Sequence, residues 1–224
     1  MFKDNIKFSV IIPLYNESYN IEVLIKEIHQ YLQQINNITY EVILINDNSF
    51  DNTLEIIKEI EKRYRNIVVF SHKENKGQSA SIVTGIKLAQ YDHIITIDGD
   101  GQNDPKDLNK MINAYFRDDN LKLLGGLRMN RQDSVIKILS SKIANGIRSF
   151  ILKDNCSDTG CSLKIFNKNI FLKFPFFNGI HRFLPALFLG YGYKTEFIAV
   201  SHRKRLHGIS NYGTLKRLFN GIVD

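Results

Sequence analysis

Tryptophan is absent from this chain, and cysteine and proline are scarce: the 224 residues hold two cysteines and four prolines. Cys156 and Cys161 are too few for a disulfide framework or a zinc set, which points to a reducing cytoplasm. No run reaches the roughly 18 apolar residues that a membrane helix needs. The opening "MFKDNIKFSV" lacks the apolar stretch of a signal peptide. The expectation is therefore a soluble or peripheral chain. No Pro/Gly/Ser-rich linker, repeat or low-complexity segment divides it. The Gly-x4-Gly-Lys-[Ser/Thr] pattern of a P-loop is missing, and the histidines near the C-terminal end have no cysteine partners for zinc.

What is present is ordinary globular material, 43% hydrophobic and 24% charged, enough for one large domain or two small ones. The charge is unevenly spread. Residues 1–120 carry 13 Lys/Arg against 18 Asp/Glu, a balance of −5, and residues 121–224 carry 17 against 5, a balance of +12. Such a basic half suits an anionic partner such as phosphate, nucleic acid or a lipid surface, although a solvated basic surface has the same composition.

Apolar runs and helical periods alternate along the first 116 residues. Strands are expected at 8–15, 40–47, 66–72 and 92–98, with helices at 17–35, 52–64, 77–90 and 104–116, the last opened by Asp104 and Pro105. This is the rhythm of a mainly parallel, doubly wound α/β sheet with helices on both faces. The second half is less regular. Strands are expected at 121–128, 161–166 and 193–200, and helices at 134–152 and 213–223.

Sheets of this kind bind ligands beyond the carboxyl ends of their strands. Three strands end there in acidic groups: "PLYNES" (13–18) with Glu17, "LINDNSFDNT" (44–53) with Asp47, and "DGDGQNDP" (98–105) with Asp98 and Asp100. Pro13 is expected to turn the chain out of its strand. Asp47 could accept from a nucleobase or ribose, Asp51 caps the next helix, and Glu17 could equally serve the start of a helix. Two carboxylates as close as Asp98 and Asp100 repel. Mg2+ or Mn2+ is the first candidate to offset that cost, since hard cations take one or two carboxylates plus substrate phosphates and Gln102 could add an oxygen, although such acidic pairs are also common in turns. In "ENKGQSAS" (74–81), Lys76 and the turn amides could face phosphate or simply begin a helix. "HRKRLHGISNYG" (202–213) packs His202, Arg203, Lys204, Arg205 and His207 into six positions, a set that could close over a diphosphate. "GIHRFLPALF" (179–188) and "NCSDTGCSLK" (155–164) hold His181, Arg182 and Asp158 as further candidates.

Taken in order, "PLYNE", "NDNSFD", "DGDGQNDP", "DTGCSLK", "GIHRFLPAL" and "HRKRLHGISNYG" resemble the family 2 glycosyltransferases, within them the bacterial branch related to dolichyl-phosphate mannosyltransferase. The resemblance spans about residues 8 to 220. It implies one GT-A catalytic domain over 1–224, with a nucleotide-binding half to about 120 and an acceptor-binding half beyond. It implies metal-dependent, inverting transfer from a UDP- or GDP-linked sugar to a polyprenyl phosphate. Pro13, Tyr15, Glu17 and Asp47 would line the nucleoside pocket, with Lys76 beside the phosphates. Asp98, Asp100 and Gln102 would form the metal and diphosphate group. Arg128 and Lys142 match basic positions for the acceptor phosphate, and Arg203, Arg205 and Ser210 fall in the mobile loop over the donor. The chain departs from the family in Asn46-Asp47, where two acids are usual, in Lys142 for Arg, and in Asn211-Tyr212-Gly213 for Lys-Tyr-Gly. Many relatives continue into membrane helices. Two other readings stay open: extension of a saccharide, which would need a carboxylate base such as Asp158, and a nucleic-acid module, for which no recognisable motif is found and no nucleic-acid partner is expected.

Overall fold

The computed structural model describes residues 5–129 and 156–205. Lys142, Ser210 and the expected helices over 134–152 and 213–223 lie outside the described residues. Seven strands form one sheet: β1 (Ile6–Leu14), β2 (Ile38–Asn46), β3 (Ile67–Ser71), β4 (His93–Thr96), β5 (Leu121–Arg128), β6 (Lys164–Asn167) and β7 (Lys194–Val200), in the order β3-β2-β1-β4-β6-β5-β7. β1 pairs in parallel with β2 and β4, β2 with β3, and β5 with β7, while β6 runs antiparallel to β4 and β5. Helices α1 (Ile21–Leu32), α2 (Thr53–Arg63), α3 (Gln78–Leu88), α4 (Asp107–Tyr115), α5 (Lys168–Phe171) and α6 (Ile180–Gly190) cover it. Among the described residues no helix is long and apolar enough to cross a membrane.

Strand parity explains why both faces are covered. In β1, Phe8, Val10, Ile12 and Leu14 join one core, and Ile11 joins the other. In β2, Val42 and Leu44 divide from Ile43 and Ile45 in the same way. A strand apolar at every position is stable only when helices bury both sides. α1 supplies Ile21, Leu24, Ile25, Ile28 and Leu32 to the first face, at the spacing of one helical stripe, and α2 and α4 join it there. α3 and α6 cover the second with Ile82, Ile86, Ile180, Leu184 and Phe188. Each such side chain contributes roughly 1.5–3 kcal/mol when fully buried. α3 lies so close to β1 that a Cβ on Gly85 would sit 2.5 Å from Ile11 Cγ2, which explains its small residues.

Two local expectations are corrected. Pro13 does not turn the chain out of the strand: it lies inside β1, opposite Ile45 of β2. It follows the last β1–β4 pair, Ile11 with Thr96, so its missing N–H falls where β4 has already parted. α4 opens at Asp107 rather than Asp104, whose carbonyl accepts the Asp107 amide and whose carboxylate accepts the Lys106 amide in the turn before it.

The order β2-β1-β4 makes a switch point, because the chain leaves β1 to one side for β2 and β3 and returns through α3 to β4 on the other. β1, β2, β4, β5 and β7 all end at one edge, and antiparallel β6 begins there, with Lys164 opposite Thr96.

Candidate active site

At this edge β4 delivers Asp98 and Asp100. Gly99 between them is demanded by packing: a Cβ there would stand 2.3 Å from Leu14 Cδ2. The bend itself belongs to Gly101, whose φ of 70° suits glycine. Gln78, the first residue of α3, donates through Nε2 to Asp98 Oδ1 at 2.7 Å, and the Asp98 amide donates to Ser162 Oγ at 3.1 Å. Burial, and then the Asp100 charge, push the Asp98 carboxyl up to about 6. Asp100 Oδ1 accepts the Gln102 amide at 3.0 Å, and Arg205 donates to Oδ2 at 2.8 Å.

Glu17 belongs to the same acidic group. It lies four residues before α1, in the β1–α1 loop, and its Oε1 is 3.5 Å from Arg205 Nη1. Asn20 donates to its Oε2 at 2.7 Å. Burial pushes its carboxyl up to about 7, against the pull of Asn20 and Arg205 and with a further push from Asp100 and Asp98. The loop is held by asparagines in left-handed backbone, Asn16 (φ 56°) and Asn48 (φ 57°). The Asn16 amide donates to Ser49 Oγ at 2.9 Å, and the Phe50 amide donates back to Asn16 Oδ1 at 3.0 Å, so the loops after β1 and β2 are tied together.

Asp47 sits just beyond β2 and is nearly spent on the protein itself. Its carboxylate accepts from the amides of Lys76 (2.9 Å) and Gly77 (2.7 Å) and is 2.7 Å from His72 Nδ1. What Asp47 does here is pin the loop that opens α3, with Gly77 at φ 83°. Lys76 is exposed, its ammonium 3.8 Å from Glu74. Tyr15 meets Phe50 edge-on at 6.0 Å between centroids, and Phe50 is 82% exposed. Asp51, expected as a helix cap, accepts from the Thr53 amide at 3.0 Å at the start of α2.

The basic side of the edge is built at the end of β5. Arg128 forks onto Asp158, Nε to Oδ2 and Nη2 to Oδ1, both at 2.7 Å, and its amide also donates to Oδ2. Lys164 is buried beneath them and donates to the carbonyls of Cys161 and Thr159. Burial lowers its ammonium pKa.

The two arginines after β7 part company. Arg205 reaches the acidic group, whereas Arg203, expected over the donor, is committed to α1. It forks onto Glu27 at 3.0 and 2.8 Å and donates through Nε to the Gly101 carbonyl at 3.1 Å. Gln102 faces the same segment, its carbonyl accepting the Arg203 amide at 2.8 Å. Sequence reasoning missed Glu27, Phe50, Gln78, Ser162 and Lys164 as parts of this edge. A readable signal existed for Lys164, a charge inside the apolar strand pattern "SLKIF". Nothing in local sequence pairs Gln78 with Asp98 or Glu27 with Arg203.

The model of the family described as "Glycosyl transferase family 2" matches residues 9–174. The chain belongs to that family. Among relatives of this family 2 chain is a dodecaprenyl-phosphate galacturonate synthase from Rhizobium johnstonii, 33% identical across 98% of this chain and 65% of that protein. Another is an undecaprenyl-phosphate 4-deoxy-4-formamido-L-arabinose transferase from Edwardsiella ictaluri, 30% identical across 96% of this chain and 66% of that protein. The chain thus spans about two thirds of the length of these relatives. The glucosyl-3-phosphoglycerate synthase of Mycobacterium tuberculosis, solved in complex with Mg2+ and UDP, superposes with a TM-score of 0.70 at 14% identity, covering 97% of this chain and 78% of that one. The fold is GT-A.

In this family 2 chain the donor set suits a hard divalent cation. Asp98 and Asp100 offer carboxylate oxygens, and the Asp100 charge adds to burial in raising the Asp98 pKa. No cluster of three or more His, Cys, Asp or Glu side chains able to enclose a metal is found among the described residues. Two carboxylates with phosphate oxygens completing the shell is a usual magnesium arrangement.

Proposed function

We propose that this chain moves a glycosyl group from a nucleoside-diphosphate sugar to a polyprenyl phosphate at the inner face of the cell membrane, inverting the anomeric carbon in one displacement. Residues 1–120 hold the nucleotide and residues 121–224 hold the acceptor. The observation that carries this reading is Asp158. The acid that a sugar-hydroxyl acceptor would need as base is engaged along both oxygens by Arg128. With that base engaged, an acceptor that is itself an anion, and so needs no base, fits better. Both relatives named above act with a polyprenyl phosphate, by their names.

The chemistry follows from the residues. An oxygen of the acceptor phosphate attacks the anomeric carbon, and the bond from that carbon to the diphosphate breaks, its electrons passing to the leaving group. A phosphate oxygen is already ionised, so no side chain has to take a proton. Asp98 and Asp100, with Gln102 beside them, would hold Mg2+ or Mn2+, which would supply neutralisation of the charge on the diphosphate. Arg205, already at Asp100, adds a guanidinium to the same place. Tyr15, Phe50 and Pro13 wall the nucleoside side, shaped by the Asp47 clamp on the Lys76–Gly77 turn.

The test is nucleotide release from a panel of UDP- and GDP-sugars, with and without undecaprenyl phosphate, in Mn2+ or EDTA. Release that needs both lipid and metal supports the reading. Release onto a saccharide without lipid, or no release from any donor, overturns it.

A further inference from the structure

"GIHRFLPALF" is the motif that the mechanism above leaves without a task. His181 stands in the first turn of α6, directly after Gly179, whose φ of 93° puts the chain in left-handed backbone. That turn aims the Gly179 amide at Ser79 Oγ, 2.9 Å away. Ser79 is fully buried in the first turn of α3, and its Oγ is also 2.7 Å from His181 Nδ1. A hydroxyl has one proton to give. Ser79 accepts from Gly179, and His181 Nδ1 is the one acceptor the described residues offer its proton. So Nδ1 is the acceptor and the ring hydrogen lies on Nε2.

The charge state agrees. Burial, then the Lys164 and Arg182 charges, hold the imidazole pKa down to about 3. No described residue hydrogen-bonds Nε2, and the residue keeps part of its surface in solvent. The ring is therefore a fixed neutral donor.

Its place in the sheet says what it faces. Ser79 follows Gln78, which holds Asp98 at 2.7 Å, so neighbouring side chains of α3 grip the diphosphate position and the imidazole. Along the edge the nucleoside wall lies at β2 and β1, the Asp98/Asp100 pair at β4, and the next strand is β6. A donor laid out in that direction puts its sugar beyond β4, beside the starts of α3 and α6. We propose that His181 binds the transferred sugar, its Nε2–H donating to an oxygen of the glycosyl ring, and that Ser79 is the positioning residue that fixes its tautomer. This rests on the donor reading given under Proposed function and deepens it.

Calorimetry on the full chain with Mn2+ tests it, using UDP, GDP, UDP-glucose, UDP-galacturonate and GDP-mannose. His181→Ala should bind the bare diphosphates as the wild type does and weaken a sugar nucleotide about tenfold, the worth of one hydrogen bond. If His181→Ala no longer folds, two amide variants carry the test. Gln can place an N–H where Nε2–H was and should keep sugar binding, whereas Asn places it at Nδ1 and should lose it. Two-bond 15N spectra of the wild-type ring should show neutral Nε2–H from pH 5 to 8, and Ser79→Ala should disturb that signature. Equal ratios of sugar nucleotide to diphosphate affinity in wild type and variants overturn the assignment, as does a charged or Nδ1–H ring. A wild type that binds none of the five nucleotides overturns the donor reading itself, and this assignment with it.

Discussion

Arg205 and Asp100 are joined at 2.8 Å, and the other arm of the same guanidinium stands 3.5 Å from Glu17. A single cation thus bridges two carboxylates from different loops, those after β1 and β4. Arg205 brings one positive charge to these carboxylates, where a divalent ion would bring two.

Competition follows from that contact. Arg205→Ala should bind Mn2+ alone more tightly, because Asp100 is released, and yet turn over about 10- to 100-fold more slowly, because a charge-assisted hydrogen bond to the leaving group is lost. Metal titration and initial rates with the active donor check the two halves. Arg205→Lys should recover only part of the rate, since an ammonium cannot span Asp100 and Glu17 as a fork does.

Asp100→Asn should abolish metal-stimulated turnover, lowering kcat by about 100-fold or more, in the range seen when a preorganised charge-stabilising group is removed. The fold should survive, because the change relieves repulsion with Asp98. Circular dichroism and rate measurements on one preparation separate these outcomes, and an active variant removes Asp100 from the site.

Glu17 should leave a mark on stability. Burial raises its folded pKa to about 7, above the ordinary carboxylate value of 4.5. Between those values the folded chain holds a proton that the unfolded chain has released, so the stabilisation is complete below about pH 4.5 and is lost as pH rises through 7. Urea midpoints of the metal-free protein should fall across that window, and Glu17→Gln should flatten the fall. An unchanged slope would contradict the burial assigned to Glu17.

The Arg128–Asp158 pair predicts a non-additive result. Its side chains are only 14% and 9% exposed, so removing one partner takes a two-pronged, charge-assisted contact away from a buried charge. Asp158→Leu should cost about 1.5–3 kcal/mol, the worth of hydrogen bonds to a charged group, while Arg128→Met with Asp158→Leu should cost less than Arg128→Met and Asp158→Leu summed. Chemical denaturation of the four proteins measures this. The lipid KM of the single variants should rise if Arg128 holds the acceptor phosphate.

Gly99→Ala should destabilise by about 1–3 kcal/mol, because the new methyl enters space held by Leu14. It should also lower activity more than stability, since the same shift moves both aspartates. Thermal unfolding beside rate data checks the order of the two effects.

Much of this molecule is written locally. Four apolar runs alternating with helical stripes determined the α/β class, because a strand apolar on both sides has to be sandwiched. The position of "DGDG" after the fourth run determined that two carboxylates follow a strand end, and the charge count set the expectation of an anionic partner for the second half. Partner choice was decided only by tertiary structure. Arg203 goes to Glu27, 176 positions away, and His181 to Ser79, 102 positions away, because sheet order brings α1 under the segment after β7 and α3 beside α6. Asp47 became a loop clamp rather than a bare acid because the amides of Lys76 and Gly77 arrive at its carboxylate once β3 has been laid against β2. A side chain's chemistry is set by its own atoms, whereas its role depends on which distant donors fold onto it.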